Sequence, residues 1–499
     1  MKVLLMHPDR DFDGAQPLPA HGDELITDLE LGTMIEAMAN GDAALADVAR
    51  RSLLCTAGND VLTVLYRQEV LKDCLAHPEV VRDLHALAIR AIEGRREHYF
   101  MGILHRYPSS VLSGSIRYGG FLMKVMRSIR QIAEAHAGQF HSRGFVNLFD
   151  LVQREFTDEY LARIQDHLSH LEFRDGVLVS AGLGESLEGC GYVLRRDAEP
   201  RPRWLRWILG MERRSLTFHI HERDQAGATI VSQLRDRGVN LAANAMAQSV
   251  DHIASFFRAL RLEAGFYVSC LNLRQRLESI GASTAFPVPS AVGSRIARST
   301  GLYDICLALK TGRPVVDNEI EADGMNATVI TGANQGGKSS FLRAFGLAHT
   351  MMQAGMFVGA QSHAGELCAG VFTHFKRRED ATMQRGKFDE ELARMSAIVD
   401  SLARDSLVLL NESFGSTNER EGSEIARQVF TALVERGVRV VFVTHLYEFA
   451  RRLCDESRRD ILFLRAERLE DGTRTFKLVR GPPLSTSYGK DLYREVFAA

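Results

Sequence analysis

The stretch ATVITGANQGGKSSFLRAFGLAHTMM, residues 327–352, constrains the fold of this chain more than any other. A short β-branched run leads into G-x-x-x-x-G-K-S, from Gly332 to Ser339, and then into a helix-length segment. That is the strand, loop and helix context a phosphate-binding loop requires. Gly332, Gly336 and Gly337 let the backbone curl so that successive N–H groups face an anion, with Ala333, Asn334 and Gln335 between them. The helix that follows directs its positive end at the same phosphates. Lys338 is expected to reach the β- and γ-phosphates, and Ser339, followed by Ser340, to hold magnesium. Residues 332–340 are therefore the candidate binding set for ATP and Mg2+.

Such a loop needs a sheet to carry it. ATVITG, SLVLLN, VRVVFVTH and DILFL are short and dense in aliphatic residues, as strands covered on both faces should be. Helix-length patterns separate them, so residues 286–499 are expected to form an α/β domain with a parallel sheet between helices. The strand LVLLN stops at Asn411 and Glu412. In P-loop enzymes a neighbouring strand end carries an acid that fixes magnesium, often through water, and a second acid can act on the attacking water. Glu412 fits the second role. Asn411 occupies the first with an amide oxygen and no charge, so the ion is expected to be held less tightly, through water. One strand later His445 ends VVFVTH, where it could donate to the γ-phosphate, because ligands of open α/β sheets gather at the carboxyl ends of strands. Lys338, Glu412 and His445 form the candidate catalytic set.

The rest of the chain has a different texture. Residues 1–170 read as a helical core, with apolar residues three and four apart between charged ones. Residues 171–237 read as a small β-rich, clamp-like module, with strands expected at GVLVS, GYVLRR and SLTFHIHERD. Residues 238–285 hold a long lever helix, expected from about Ala243 to Ile280 and roughly 55 Å long; Pro287 and Pro289 follow it. The expected architecture is thus multidomain: a helical core and lever with a β-rich insertion, then an ABC-like P-loop domain. The net charge of −2 confines any nucleic-acid surface to a local patch. One candidate is Arg195–Arg214, where Arg195, Arg196, Arg201, Arg203, Arg206, Arg213 and Arg214 surround Trp204 and Trp207. Arginine pairs with phosphate at fixed geometry, and indole stacks on bases; a solvated hairpin with self-packed tryptophans is the alternative. His219 and His221 have no further Cys or His nearby, so no metal site is expected there. Seven scattered cysteines without C-x-x-C spacing fit a reducing cytoplasm, and no apolar run reaches membrane-spanning length.

With these elements in order, the C-terminal domain resembles the ATPase domain of the MutS family of DNA mismatch-repair proteins, and more distantly ABC-type ATPases. TGANQGGKSSFLRAFGLAHTMMQAGMFVGA, SLVLLNESFGSTNEREG and FVTHLYEFA carry the likeness. The family loop reads G-P-N-M-G-G-K-S-T, so Asn334 matches while Ala333, Gln335 and Ser340 depart from it. The family's Asp-Glu is Asn411-Glu412 here. Its G-R-S-T-F segment, which the resemblance implies approaches the partner subunit's ATP, is QRGKF, leaving Gly386, Lys387 and Phe388 as trans-site candidates, with Glu391 kept. The order of helical core, β-module and long helix is similar to the family's core, clamp and lever, and the chain resembles the shorter bacterial MutS-related proteins. The sequence shows no Phe-x-Glu wedge before the helical region and no length after Ala499 for a nuclease domain. The resemblance therefore implies an ATP-gated, homodimeric DNA clamp in repair or recombination that does not read mismatches by the usual wedge. The competing expectation is a non-hydrolysing, nucleotide-gated scaffold for a protein partner, with Asn411 the mark of lost turnover.

Overall fold

The computed structural model describes residues 1–99, 107–173, 176–185, 188–195, 217–377, 386–469 and 473–484. The chain forms two compact units, each drawn from separated stretches. One comprises Met1–Val3, Asp83–Gln139 and Asn147–Arg261; the other comprises Leu4–Arg82, Phe140–Val146 and Leu262–Ala499.

Among its described residues the first unit is helical apart from one hairpin. It holds most of α5 (Pro78–Tyr99), α6 (Pro108–His136), most of α7 (Arg143–Glu155), α8 (Asp158–Leu171) and the first two thirds of α9 (Gln225–Ser279). Its two strands, β1 (Val179–Leu183) and β2 (Gly189–Leu194), pair antiparallel. Gly119 of α6 lets α9 approach closely, since a Cβ there would lie 3.0 Å from Met246 Cε. The long helix begins well before the expected Ala243. Asp224 accepts the Gly227 N–H at 2.9 Å and starts the helix, although Thr229, Ile230 and Val231 read locally as strand-formers. Residues 217–221, where a third strand was expected, form no strand.

The second unit is built on the six-stranded sheet. β6 (Ala327–Thr331) lies at its centre, and the order is β12-β11-β6-β10-β9-β8, with β8 (Val371–Phe375), β9 (Leu407–Asn411), β10 (Arg439–Val443), β11 (Ile461–Arg468) and β12 (Arg474–Arg480). All neighbours run parallel except β11 and β12. Alternate residues bury both faces. Val329, Val408, Leu410, Val440 and Phe442 share a core with Met395 and Ile398 of α12 (Lys387–Ser401), Phe430 of α13 (Glu419–Glu435) and Phe449 of α14 (Tyr447–Asp455). On the opposite face, Gly346 of α11 (Lys338–Gln353) brings Leu409 and Leu29 together. A second sheet has the order β3-β7-β4-β5, from β3 (Val288–Ser290), β4 (Ala297–Leu302), β5 (Asn318–Glu321) and β7 (Ser362–Glu366). Buried Arg439, at the start of β10, pairs with Glu366 of β7 at 3.1 Å and ties the two sheets.

Helices α1 (Gly22–Asp28), α2 (Leu31–Ala39), α3 (Ala43–Leu54) and α4 (Val61–Ala76) belong to this same unit, and α10 (Ile305–Thr311) packs on α2. Residues 4–12 thread beside them as an irregular strap whose backbone is satisfied by side chains. Buried Glu263 accepts N–H bonds from Leu5 at 2.6 Å, Met6 at 3.1 Å and Phe12 at 2.6 Å. Tyr66, Tyr267 and Arg67 donate to the carbonyls of Leu4, Leu5 and Met6. Glu263→Gln keeps the shape but turns one acceptor into a donor. Amide hydrogen exchange at Leu5, Met6 or Phe12 is therefore expected to speed by about tenfold or more; unchanged rates at all three would show that the carboxylate does not hold the strap.

Candidate nucleotide site

β6 delivers the glycine-rich loop to the carboxyl edge of the sheet, and α11 leaves from it. Two of its glycines are required by close approach. A Cβ on Gly336 would sit 2.7 Å from Ala466 Cβ, and Gly337, at φ +87°, faces the Phe476 carbonyl, which would be 2.9 Å from its Cβ. The loop is thus backed by the β11–β12 hairpin. Lys338 is 5% exposed and donates to the carbonyls of Gly332 at 2.9 Å and Ala333 at 2.8 Å. Burial lowers its pKa, and the charge of Glu412 opposes that shift. Asn334 and Gln335 are exposed, and Arg474 Nη1 donates to Gln335 Oε1 at 2.7 Å.

Ser339 donates its hydroxyl to Asn411 Oδ1 at 3.0 Å, so the two oxygens expected at a metal converge directly. Hard oxygen donors of this kind suit magnesium, which keeps several of its waters. Ser339, with Asn411 behind it, fits the ion, and Glu412 supplies the neighbouring carboxylate. Glu412 itself has φ +54°, a left-handed conformation uncommon outside glycine, and is held there by its N–H donating to Val443 O at 2.8 Å. Strained backbone of this sort persists where surrounding structure over-determines it, and it clusters at active sites.

Two cavities meet at the loop. The larger, of about 730 Å³, is lined by residues 334–340 and Glu412 on one side and by Tyr303, Pro314, Val316 and Phe476 on the other. The smaller, of about 470 Å³, takes in Gly332, Asn334, Glu412, Lys376, Thr444 and His445. Asn334 and Glu412 line both. Exposed His445 packs on Gly415, whose Cβ would be 2.9 Å from its Cε1.

The remaining candidates lie elsewhere. Gly386 caps α12, Lys387 and Phe388 begin it, and Phe388 packs on the core below the sheet. None of the three lines either cavity. Arg195 follows β2 and donates to Ser180 at 2.9 Å. Arg196, Arg201, Arg203, Trp204, Arg206, Trp207, Arg213 and Arg214 lie outside the described residues. Sequence reasoning passed over Lys376, Phe476 and Arg474. Lys376 had a readable signal, because it ends the apolar run VFTHF just as His445 ends VVFVT.

A buried network fastens α12 to the turn carrying Glu412. His374 Nε2 lies 3.0 Å from the Glu391 carbonyl, which can only accept, so Nε2 bears the hydrogen; Nδ1 lies 2.7 Å from Ser413 Oγ, and that hydroxyl donates to the His374 carbonyl at 2.7 Å. Ser416 donates to Glu391 Oε1 at 3.0 Å. Burial, reinforced by Arg394, lowers His374 to about 4.

A mostly parallel sheet whose central strand feeds a glycine-rich loop, with a lysine and a serine opening the next helix, defines a P-loop nucleotide-binding protein. Residues 328–495 match MutS domain V and residues 59–280 match the MutS2 N-terminal domain. The chain is a member of the MutS family. It is 36% identical over 137 residues to a DNA mismatch repair protein MutS of Thermotoga neapolitana, covering 27% of this chain and 17% of that protein. A DNA mismatch repair protein MutS of Chlorobium phaeovibrioides is 29% identical over 264 residues, 48% of this chain and 30% of that one. A DNA mismatch repair protein MutS 2 of Halobacterium salinarum is 26% identical over 305 residues, 60% of this chain and 34% of that one. The matched stretches thus span 17–34% of these relatives' lengths.

His374 offers a pH test of the network. Its folded pKa lies below the ordinary 6.5, so its contribution to stability is complete above about pH 6.5 and is lost as pH falls toward about 4. Urea unfolding across that range is expected to show a slope for wild type steeper by up to about 1.4 kcal/mol per pH unit than for His374→Leu. Equal slopes would mean that the ring is not held neutral.

Proposed function

We propose that this chain is an ATPase of the MutS family that binds DNA and closes, as a homodimer, when ATP is bound. The observation that carries the reading is the convergence of Lys338, Ser339, Asn411 and Glu412 at the carboxyl ends of β6 and β9, with His445 one strand further on. The larger cavity is of a size that takes a small ligand. The base would lie against Phe476, Pro314 and Val316, and the phosphates would run along residues 332–340 toward the smaller cavity. Lys338 would leave the two loop carbonyls for the β- and γ-phosphates. Magnesium, when bound, would neutralise charge between those phosphates. Glu412 would orient and deprotonate the attacking water, and His445 would donate to the γ-phosphate.

The names of the relatives support DNA as the partner, and the family likeness supports a second copy of the chain. In this reading Gly386, Lys387 and Phe388 approach the partner's nucleotide, and residues 238–285 work as a lever between the ATPase domain, 286–499, and the clamp-like module, 171–237. Residues 1–170 are the helical core. Arg195 and the arginines and tryptophans that follow it remain the DNA-contact candidates. Among the described residues no helix is long and apolar enough to cross a membrane. A second reading, a switch that holds ATP without turnover, is favoured by the neutral Asn411 bonded directly to Ser339.

Steady-state ATP hydrolysis with Mg2+, with and without duplex or branched DNA, separates the two. The expected outcome is turnover that rises with DNA and falls by about a hundredfold or more in Lys338→Ala and Glu412→Gln. Tight ATP binding without turnover, restored by Asn411→Asp, would replace the clamp by the switch.

A further inference from the structure

We propose that Lys376 is a contact for the terminal phosphate, a second cation brought to the nucleotide from β8 where Asn411 leaves a charge-poor metal position. The inference rests on the ATP reading of the site and names a residue that this reading does not use.

The geometry is set by the backbone. Phe375, the last residue of β8, pairs with Asn411 across the parallel ladder, and the next N–H, that of Lys376, donates to Asn411 O at 3.0 Å. Lys376 therefore leaves the sheet at the same level as Glu412 and lines the same 470 Å³ cavity, together with Gly332, Asn334 and His445. The side chain is half-buried. Its ammonium donates to Gly415 O in a long bond of 3.4 Å and makes no ion pair with a described residue. Gly415 is also where His445 packs, so the lysine and the histidine flank one point of the cavity wall.

A half-buried ammonium whose hydrogen-bond acceptor is a distant carbonyl, with the Glu391 carboxylate acting on it only through space, is poorly compensated, and a phosphate oxygen is a far better partner. The flexible four-carbon stem allows the head to swing from Gly415 to a phosphate without backbone movement. Two carboxylates, Glu412 and Glu419, line the cavity with it, and Lys338 lines the larger cavity that shares Asn334 and Glu412 with this one. An acid at position 411 would draw Lys376 toward itself; the amide does not. Lys338 and Lys376 thus bracket the position of the γ-phosphate, and part of the preference for a triphosphate does not require the metal.

The test is equilibrium binding of fluorescent ATP and ADP analogues to the full chain, in Mg2+ and in EDTA. Wild type is expected to keep a preference for the triphosphate of about tenfold in EDTA. Lys376→Met and Lys376→Gln should bring the ratio toward one, and Lys376→Arg should keep part of it, with thermal melting of the unliganded proteins as the check on folding. A wild-type ratio near one in EDTA, or folded Met and Gln variants with the wild-type ratio, would overturn the inference and leave the site reading intact. Failure of wild type to bind either nucleotide in Mg2+ would overturn both.

Discussion

Across four parallel strands of the large sheet, Phe375, Asn411, Val443 and Ile330 pair in one continuous row. Parallel strands run in the same direction, so whatever follows that row leaves the sheet on one edge. Lys376, Glu412, Thr444 and the glycine-rich loop after Thr331 are brought side by side by this pairing, though 32 to 113 residues separate their contributors in sequence. A slip of one residue in any strand would send its last side chain to the opposite face of the sheet. The core enforces the register. Val329, Val408, Leu410, Val440 and Phe442 must face α12–α14, while Leu409 must face α11, and neither face is available to water.

The loop depends on a second constraint, the hairpin behind it. Ala466 and Phe476 come so near Gly336 and Gly337 that any side chain at either position would have to displace backbone or a strand. The hairpin is in turn fixed from the smaller sheet, where Asn318 donates to Phe476 O at 3.2 Å and accepts from Leu478 N at 2.7 Å. The phenyl ring of Phe476 is left 45% exposed at the wall of the larger cavity. Two hydrogen bonds to the Asn318 side chain thus fix the backbone that carries this ring, and the Phe476 carbonyl of that same backbone shapes the phosphate loop at Gly337.

These constraints explain which features could be read from the sequence. The loop is a local motif, because its chemistry needs consecutive N–H groups, and Glu412 follows from the abrupt end of an apolar run. Lys376, Phe476 and Arg474 reach the site through strand pairing and a hairpin return, which leave no fixed spacing from the glycines. The long helix is legible from about Ala243 onward, because Met246, Val250, Ile253, Phe257 and Leu260 alternate spacings of four and three. Its first turns are hidden by β-branched residues, and the N-cap at Asp224 overrides their local preference. The company kept by residues 4–82 was also invisible: amphipathic spacing marks α1–α4 as helices but does not say that they pack in the unit of the P-loop sheet. The strap of residues 4–12 has no periodicity at all, since its order comes from Glu263, Tyr66, Arg67 and Tyr267 rather than from a ladder.

The Asn411 substitution then has a definite electrostatic meaning. Its oxygen accepts from Ser339, so the position is hydrogen-bonded and uncharged, and Glu412 is the acid immediately beside it. Removing one carboxylate weakens the hold on a divalent cation, but it also lessens the repulsion that an incoming triphosphate meets. The two effects oppose each other, and which one dominates depends on the cations already fixed by the fold. Here there are two lysines, Lys338 in the larger cavity and Lys376 in the smaller, each donating to backbone carbonyls rather than to carboxylates. A neutral residue at 411 adds no further anion to the carboxylates already near them, Glu412 for Lys338 and Glu391 for Lys376.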